Sequence, residues 1–475
     1  MRKQGQTIFK NSFIGEDFLL NSVKAGILYN EFAKDLPIID FHCHLSPEDI
    51  ANDRQFNNIT ELWLQGDHYK WRVMRGFGID EKYITGKAGD REKFVKWAET
   101  VPHTLRNPLF HWTHLELKRY FGINELLNKD NASYIYDQCN EMLQSSEFSV
   151  QNLLRRLKVE LICTTDDPSD DLKYHHLLHG QGDTVVLPGF RPDKAINFTS
   201  SAEFNSWVEA LENLSGLRAN YYEEFLDILQ NRISYFSLSG CRLSDHGLEK
   251  IPLSDWTEEE IRKIFLQIRA GLEITQEDKL KFSVSNLHHL CQMYYKEGWV
   301  QQFHLGAIRN NRSKYYKAYG ADIGCDSIGD FDQASGLAVF LNRLDEDNAL
   351  GKTILYNLNP SQNEVFATML ANFNDGNTKG KMQYGAAWWF LDNKEGIISH
   401  LNTISNFGLL STFPGMVTDS RSFMSYPRHE YFRRILCDVL GNEMEKGELP
   451  DDIELIGKLV QNVCYFNAKE YVLMC

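Results

Sequence analysis

What most restricts the fold of this 475-residue chain is a recurrence of short apolar runs alternating with longer helical stretches. The runs fall at 38–41, 159–163, 184–187, 233–238, 300–305, 353–358, 382–389 and 415–417. Helical patterns lie between several of them, such as 257–276, where Thr257 is placed to cap a turn opened by Glu258, Glu259 and Glu260. Strands alternating with helices in this number predict an α/β fold, a (β/α)8 TIM-type barrel. Residues 45–155 read as mainly helical, with aromatic-rich amphipathic stretches at 59–73, 94–97 and 132–143, and are expected as a helical insertion after the first strand. The expected division is therefore 1–44 for the N-terminal segment and first strand, 45–155 for the insertion, and 156–475 for the remaining barrel with C-terminal helices. The charged stretch 443–454 around Pro450 reads as a turn between the last two helices.

Barrels of this type carry their chemistry just past the C-terminal ends of the strands, so the residues there are the first candidates. The run Ile38-Ile39-Asp40-Phe41 leads into His42-Cys43-His44, and Pro47 marks an abrupt end to the strand. Histidines spaced i, i+2 on an extended chain face the same way and offer two nitrogens to one divalent ion, while Cys43 points to the opposite face. Asp166 and Asp167 end the second run, Arg191 the third, and Asp245 and His246 follow the fourth. His304 sits in the fifth with Arg309 five residues on, Trp388 and Trp389 end the seventh, and Asp419 with Arg421 ends the last.

Each candidate has an ordinary explanation when taken alone. A solitary His-x-His is as often a pair of solvated or core histidines. Asp166 and Asp167, before Pro168, read as turn or cap residues. His304 between Phe303 and Leu305 reads as a satisfied core histidine, and Arg191 and Arg309 as surface ion-pair partners. Adjacent strand residues face opposite ways, so only one of Trp388 and Trp389 is expected at the barrel mouth. Together they say more. His42, His44 and Asp419 form a facial N, N, O set suited to zinc, manganese or a related divalent ion, and strands one and eight are neighbours in a closed barrel. No lysine lies near the expected fourth strand to bridge a second ion as a carbamate, so one metal is expected.

Composition narrows the partners. Net charge is −15, which argues against nucleic acid or an anionic membrane as a general partner but leaves room for a small anion where arginines gather. Nine cysteines occur without a Cys-x-x-Cys pair, as expected of free thiols in a reducing compartment. Residues 1–10 are polar, and no run of about 18 apolar residues occurs, so a soluble, cytoplasmic protein is expected.

Phe41-His42-Cys43-His44, His68-Tyr69, Pro188-Gly189-Phe190-Arg191-Pro192-Asp193, Ser244-Asp245-His246-Gly247, His304 through Asn311, Asp326 through Asp330, Ala387-Trp388-Trp389-Phe390 and Thr418-Asp419-Ser420-Arg421-Ser422 together resemble the uronate (glucuronate) isomerases of the amidohydrolase superfamily. The resemblance runs from about Phe18 to the C-terminus; Gly189 is among its small departures. It implies an aldose–ketose isomerisation in hexuronate catabolism, D-glucuronate to D-fructuronate and D-galacturonate to D-tagaturonate.

The residue chemistry fits. Arg191, Arg309 and Arg421 can clamp a carboxylate in planar, bidentate fashion. A cis-enediol route needs a carbon base, a proton carrier between O1 and O2, and stabilisation of oxyanion charge. Tyr69, oriented by His68, is the candidate for proton traffic at the oxygens or the carbon, and Asp245 or Asp419 the carbon base. His304 is expected to orient a sugar hydroxyl or the metal-bound oxygen, and Trp388 to wall the pocket. One divalent ion on His42, His44 and Asp419 is expected, a weakly bound organising ion being compatible with every residue; no organic cofactor is. A metal-dependent hydrolase acting on an anionic substrate is the alternative, and a non-catalytic sugar-acid binder a third. The aromatic-rich insertion offers a surface for homo-oligomer contacts.

Overall fold

The structure, a computed structural model, describes residues 13–473; the polar stretch 1–10 lies outside the described residues. Strands β1 (Ile38–Asp40), β2 (Val159–Cys163) and β3 (Val185–Leu187) form a parallel sheet in that order. Strands β4 (Leu243–Leu248), β5 (Val300–Leu305), β6 (Thr353–Asn357) and β7 (Met382–Tyr384) form a second parallel sheet, again in chain order. Phe190 joins the two: its N–H donates to the Leu243 carbonyl (3.1 Å), and its carbonyl accepts from Asp245 N–H (2.9 Å). At the other edge Asp419 N–H donates to the His42 carbonyl (3.2 Å) and His44 N–H to the Ser420 carbonyl (2.9 Å), so the eighth segment lies beside the end of β1. This is the order and parallel sense of a (β/α)8 barrel.

An apolar layer fills the inside of the sheet. Ile39, Phe41, Leu161, Cys163, Leu243, Val300, Ile354 and Tyr356 belong to one buried cluster, distinct from the larger cluster between strands and surrounding helices. Covering both faces of a parallel sheet is what allows strands to be apolar throughout. Above that layer the strand ends turn polar, and the site is built there. Helices occupy the chain between β1 and β2, from Pro47–Ala51 to Val150–Arg156. Their ends are fixed locally: Asp67 accepts the Lys70 N–H to cap His68–Gly76, and Gly122, in the left-handed region, closes Pro108–Phe121.

Several expectations are corrected. The run 233–238 is the last part of helix Tyr222–Leu238, where Ile233 and Phe236 continue a buried face set by Phe225, Ile228 and Leu229. The fourth strand is Leu243–Leu248, so Asp245 and His246 lie within it rather than after it. Its polar sequence hid it, because Asp245 points at site partners instead of an apolar core. The seventh strand ends at Tyr384, and 415–417 lies outside any assigned strand. Thr257 caps Glu258–Arg269 through a reciprocal pair with Glu260, but that helix stops before Gly271 (φ +75°) and a new one begins at Gln276. The turn around Pro450 separates Pro427–Lys446 from Ile453–Gln461. Among the described residues the cysteines are unpaired, and no helix is long and apolar enough to cross a membrane.

Candidate active site

The floor of the site forms where the end of β1 meets residues 418–420. Asp40, fully buried in β1, accepts Thr418 N–H (2.8 Å) and Thr418 Oγ1–H (2.5 Å), fixing the backbone one residue before Asp419. Asp419 itself has φ +46°, a left-handed conformation that costs a non-glycine residue on the order of 1 kcal/mol or more and is held here by those bonds. Its Oδ1 lies 3.1 Å from His42 Nε2 and 3.0 Å from His44 Nε2, and its Oδ2 accepts Trp388 Nε1–H at 2.7 Å.

Below this trio, Asp245 Oδ1 lies 2.6 Å from His304 Nδ1, and its Oδ2 lies 2.9 Å from an Arg191 nitrogen and 3.9 Å from His42 Nδ1. His304 stacks on Tyr356 at 4.1 Å, and Tyr356 is held by Gln302 through a 2.7 Å hydrogen bond. Arg191 also donates to Asp193 (2.8 Å). Gly247 is required by this packing, since a Cβ there would run into the Arg191 guanidinium. Gly189 is explained likewise: a Cβ would collide with the Thr164 carbonyl where β2 and β3 converge.

The electrostatics follow from burial and partners. Burial alone would raise Asp419, but hydrogen bonds and charge from His42 and His44 hold it well below the usual carboxylate range. Asp245 is likewise low despite burial, through Arg191, His304 and His42. Burial pushes His304 down to about 4, so it is a neutral imidazole. With Nδ1 donating to Asp245, its Nε2 keeps a lone pair, and that atom is buried without a partner. His44 is also lowered by burial, whereas His42 is raised because Asp245 and Asp419 outweigh burial.

These residues open into a cleft of about 490 Å³, whose walls include His42, His44, His304, Asp419, Trp388 and Arg191. His68, first residue of its helix, faces this cleft; burial and the Arg421 charge lower its pKa. Tyr69 stacks against His68 (4.8 Å between ring centroids) and borders a small void shared with Asp419, Arg421 and Arg428 rather than the cleft. Burial raises its phenol well above the ordinary value. Arg309 and Arg421 stand in the cleft wall and share Asp322.

Both Trp388 and Trp389 reach the cleft, contrary to strand alternation. The strand has ended by then, and Trp389 begins a short 3-10 turn with φ +50°, which brings neighbouring rings to the same side. Asp166 and Asp167 behave as turn residues: Asp166 binds Thr164 and the Gly189 N–H, and Asp167 caps Ser169 and accepts Trp207 Nε1–H. His246, in β4, stacks on Phe303 (5.2 Å) and does not line the cleft. Sequence reasoning missed Asp40, Asp322, Asp193 and buried Arg428, whose guanidinium sits 4.2 Å over Trp112 and 5.4 Å from the Tyr69 ring. Asp40 had a signal, an acid inside an apolar strand two residues before His42; the partnership of Asp322 with Arg309 and Arg421 had none.

Two groups of described residues can hold a metal ion: His42, His44 and Asp419, and His42, Asp245 and His304. The first fits a divalent ion. Ligands about 2.1 Å from a metal at tetrahedral or octahedral angles stand roughly 3.0–3.4 Å apart, which is the spacing of Asp419 Oδ1 from both imidazoles. The second is already satisfied in part by Arg191.

The sequence model of the glucuronate isomerase family matches residues 10–472. A uronate isomerase of Flavobacterium johnsoniae is 52% identical over 462 residues, covering 97% of this chain and 99% of that protein. The crystal structure of a uronate isomerase from Thermotoga maritima superposes with a TM-score of 0.91 at 34% identity, covering 97% of this chain and all of that one. A glucuronate isomerase from Caulobacter crescentus, at 24% identity, shares the fold with a TM-score of 0.89 over 97% of each chain. On a family match running almost end to end and a barrel that superposes on solved members, this chain belongs to the glucuronate isomerase family.

Proposed function

We propose that this protein interconverts D-glucuronate and D-fructuronate, and D-galacturonate and D-tagaturonate, by proton transfer through a cis-enediol. The observation that supports this reading best is Asp419, an ionised carboxylate in the wall of a cleft that also holds His68 and the paired arginines Arg309 and Arg421. Asp419 is the carbon base. Asp245 is not suited to that role, because it is 1% exposed, has both oxygens beside cationic or imidazole partners, and does not line the cleft. It fixes the orientation of His304 through Nδ1, while burial keeps that ring neutral. A base held so far below neutrality works through position rather than basicity: it takes the C2 proton only while the sugar is clamped against it.

His68, neutral and facing the cleft, with Tyr69 stacked behind it, carries the proton between O1 and O2. The protonated phenol of Tyr69 acts as a donor, not a base. Trp388 orients Asp419 through its indole N–H, and His304 presents its unpaired Nε2 to a sugar hydroxyl. Arg191, neutralised by Asp193 and Asp245, positions Asp245 more than it binds substrate. His42, His44 and Asp419 would hold one divalent ion, zinc or manganese by their donor set, which when bound would polarise sugar oxygens and stabilise enediolate charge.

The test is incubation of the purified protein with each uronate, scored for ketose product, beside a panel of lactones and amides. Ketose from glucuronate or galacturonate is expected. Hydrolysis in the panel without isomerisation would overturn the reading in favour of a hydrolase.

A further inference from the structure

The cations in the cleft wall differ in how firmly their counter-charges are fixed. Arg191 pairs with Asp193 and with Asp245, whose side chain is only 2% exposed. Lys194 pairs with Asp167 (3.1 Å), itself tied down by Ser169 and Trp207. Arg309 and Arg421 are different. Both turn to one carboxylate, Asp322: Oδ2 lies 2.9 Å from Arg421 and Oδ1 3.6 Å from Arg309. Arg309 also lies 3.7 Å from Asp326, whose side chain is 3% exposed and accepts the Asn310 N–H. Two arginines are thus balanced by two carboxylates, one buried and fixed, the other, Asp322, 49% exposed.

An anionic substrate entering this balanced group does not find a spare positive charge. It binds well only by replacing one of the carboxylates, and Asp322 is the replaceable one. The backbone around it is anchored: Arg75 donates to the Ile323 carbonyl and Arg72 to the Asp326 carbonyl (2.8 Å), both from helix His68–Gly76. Exchange therefore needs rotation of one side chain, not movement of a loop. The Arg309 guanidinium sits over Trp389, 4.7 Å from the ring centroid, a contact that it keeps when its carboxylate partner changes.

We infer that Asp322 occupies the seat that the carboxylate of a sugar acid takes between Arg309 and Arg421, so that substrate binds by carboxylate exchange. A neutral sugar has no carboxylate to exchange, leaves Asp322 in the seat and gains nothing from the two arginines. The isomerase reading enters only in naming the sugar acid.

The test is calorimetric binding of D-gluconate, a six-carbon sugar acid without an aldehyde to isomerise, to the full chain. Asp322→Asn keeps a residue type that tolerates the left-handed backbone at this position (φ +57°) while removing the competing charge. D-gluconate should bind about fivefold tighter to this variant, the scale on which an exposed ion pair competes. Asp322→Gly, also compatible with the backbone, should repeat the gain. In an Arg421→Met background, where only Arg309 is left to be freed, Asp322→Asn should give a smaller gain, and D-glucitol, the same chain without the carboxylate, should bind wild type and Asp322→Asn equally. Unchanged or weaker D-gluconate binding in Asp322→Asn would overturn the exchange, as would a gain undiminished by the loss of Arg421 or no D-gluconate binding at all. Glucuronate turnover by the same wild-type preparation is scored separately: binding with the expected gain but without turnover contradicts the isomerase reading and leaves the exchange standing.

Discussion

Asp245 and Asp322 answer to arginines in the same cleft, yet one is buried at the floor and the other is half exposed at the mouth. Asp245 sits among His304, Arg191 and His42 with 1% of its surface exposed, and every neighbour is itself packed. Asp322 is shared by two arginines that are 42% and 37% exposed. The contrast separates geometry from recognition. Buried charges in low dielectric are held in one arrangement, as proton transfer from carbon demands; exposed ones are weakly held and so can be traded for a substrate's charge.

The sharpest way to break this division is to compare the floor's two acids. Asp419→Asn should cost about 10³-fold or more in kcat while leaving the fold intact, because it removes the proposed base but keeps a hydrogen-bonding side chain beside His42, His44 and Trp388. Asp245→Leu should instead lower stability by about 2–3 kcal/mol in urea unfolding, since it leaves Arg191 with Asp193 alone and the buried Nδ1 of His304 without an acceptor. Equal destabilisation by both substitutions would erase the distinction between base and scaffold.

At the mouth, Arg421→Met should reduce kcat/KM about 10²-fold, mainly through KM, as loss of a charge-assisted contact to substrate. Removing metal with a chelator should reduce activity by less than this if the ion on His42, His44 and Asp419 chiefly organises the site; a complete loss would show that the ion takes part in the chemistry. Raising salt from low to about 0.5 M should increase KM a few-fold with little change in kcat, because only the mouth's charges are open to screening. A salt effect confined to kcat would place the exposed charges in the chemistry itself.

A separate effect, on stability alone, lies outside the cleft, on the outer face of β4. Burial lowers His246 from its ordinary 6.5 to about 4, and neither ring nitrogen has a partner. The unfolded chain therefore binds the proton first, so the stability tied to neutral His246 is present above pH 6.5 and is lost as pH falls toward 4. Between pH 8 and pH 5 this is worth about 2 kcal/mol. His246→Phe should flatten that part of the pH dependence of urea unfolding; an unchanged slope would mean that other groups carry it.

How much of this was legible in the sequence depended on whether the signal was local. The His42–His44 spacing, the Thr257 cap and the apolar runs of β1, β2, β5 and β6 are written in consecutive residues, and they placed the barrel and the N, N, O set. β4 was misplaced because its polar side chains serve the site, so hydrophobicity pointed instead to the buried face of the preceding helix. The choice between Asp245 and Asp419 was open because it turns on depth, which spacing does not record. Trp388 was read as a wall, whereas it also donates to Asp419, and Trp389 joins it only because of a positive φ. The Asp322 pairing spans 99 residues of sequence to Arg421, and no local pattern announces it.

The most direct test is proton NMR of D-glucuronate incubated with the purified protein in deuterated water, with Asp419→Asn in parallel. Fructuronate carrying solvent deuterium at C1 is expected from the wild-type protein, and neither product nor C2 exchange from the variant. Fructuronate free of deuterium would indicate hydride transfer or a fully shielded proton and contradict an exchanging carboxylate base, and C2 exchange that survives in Asp419→Asn would take the base role away from Asp419.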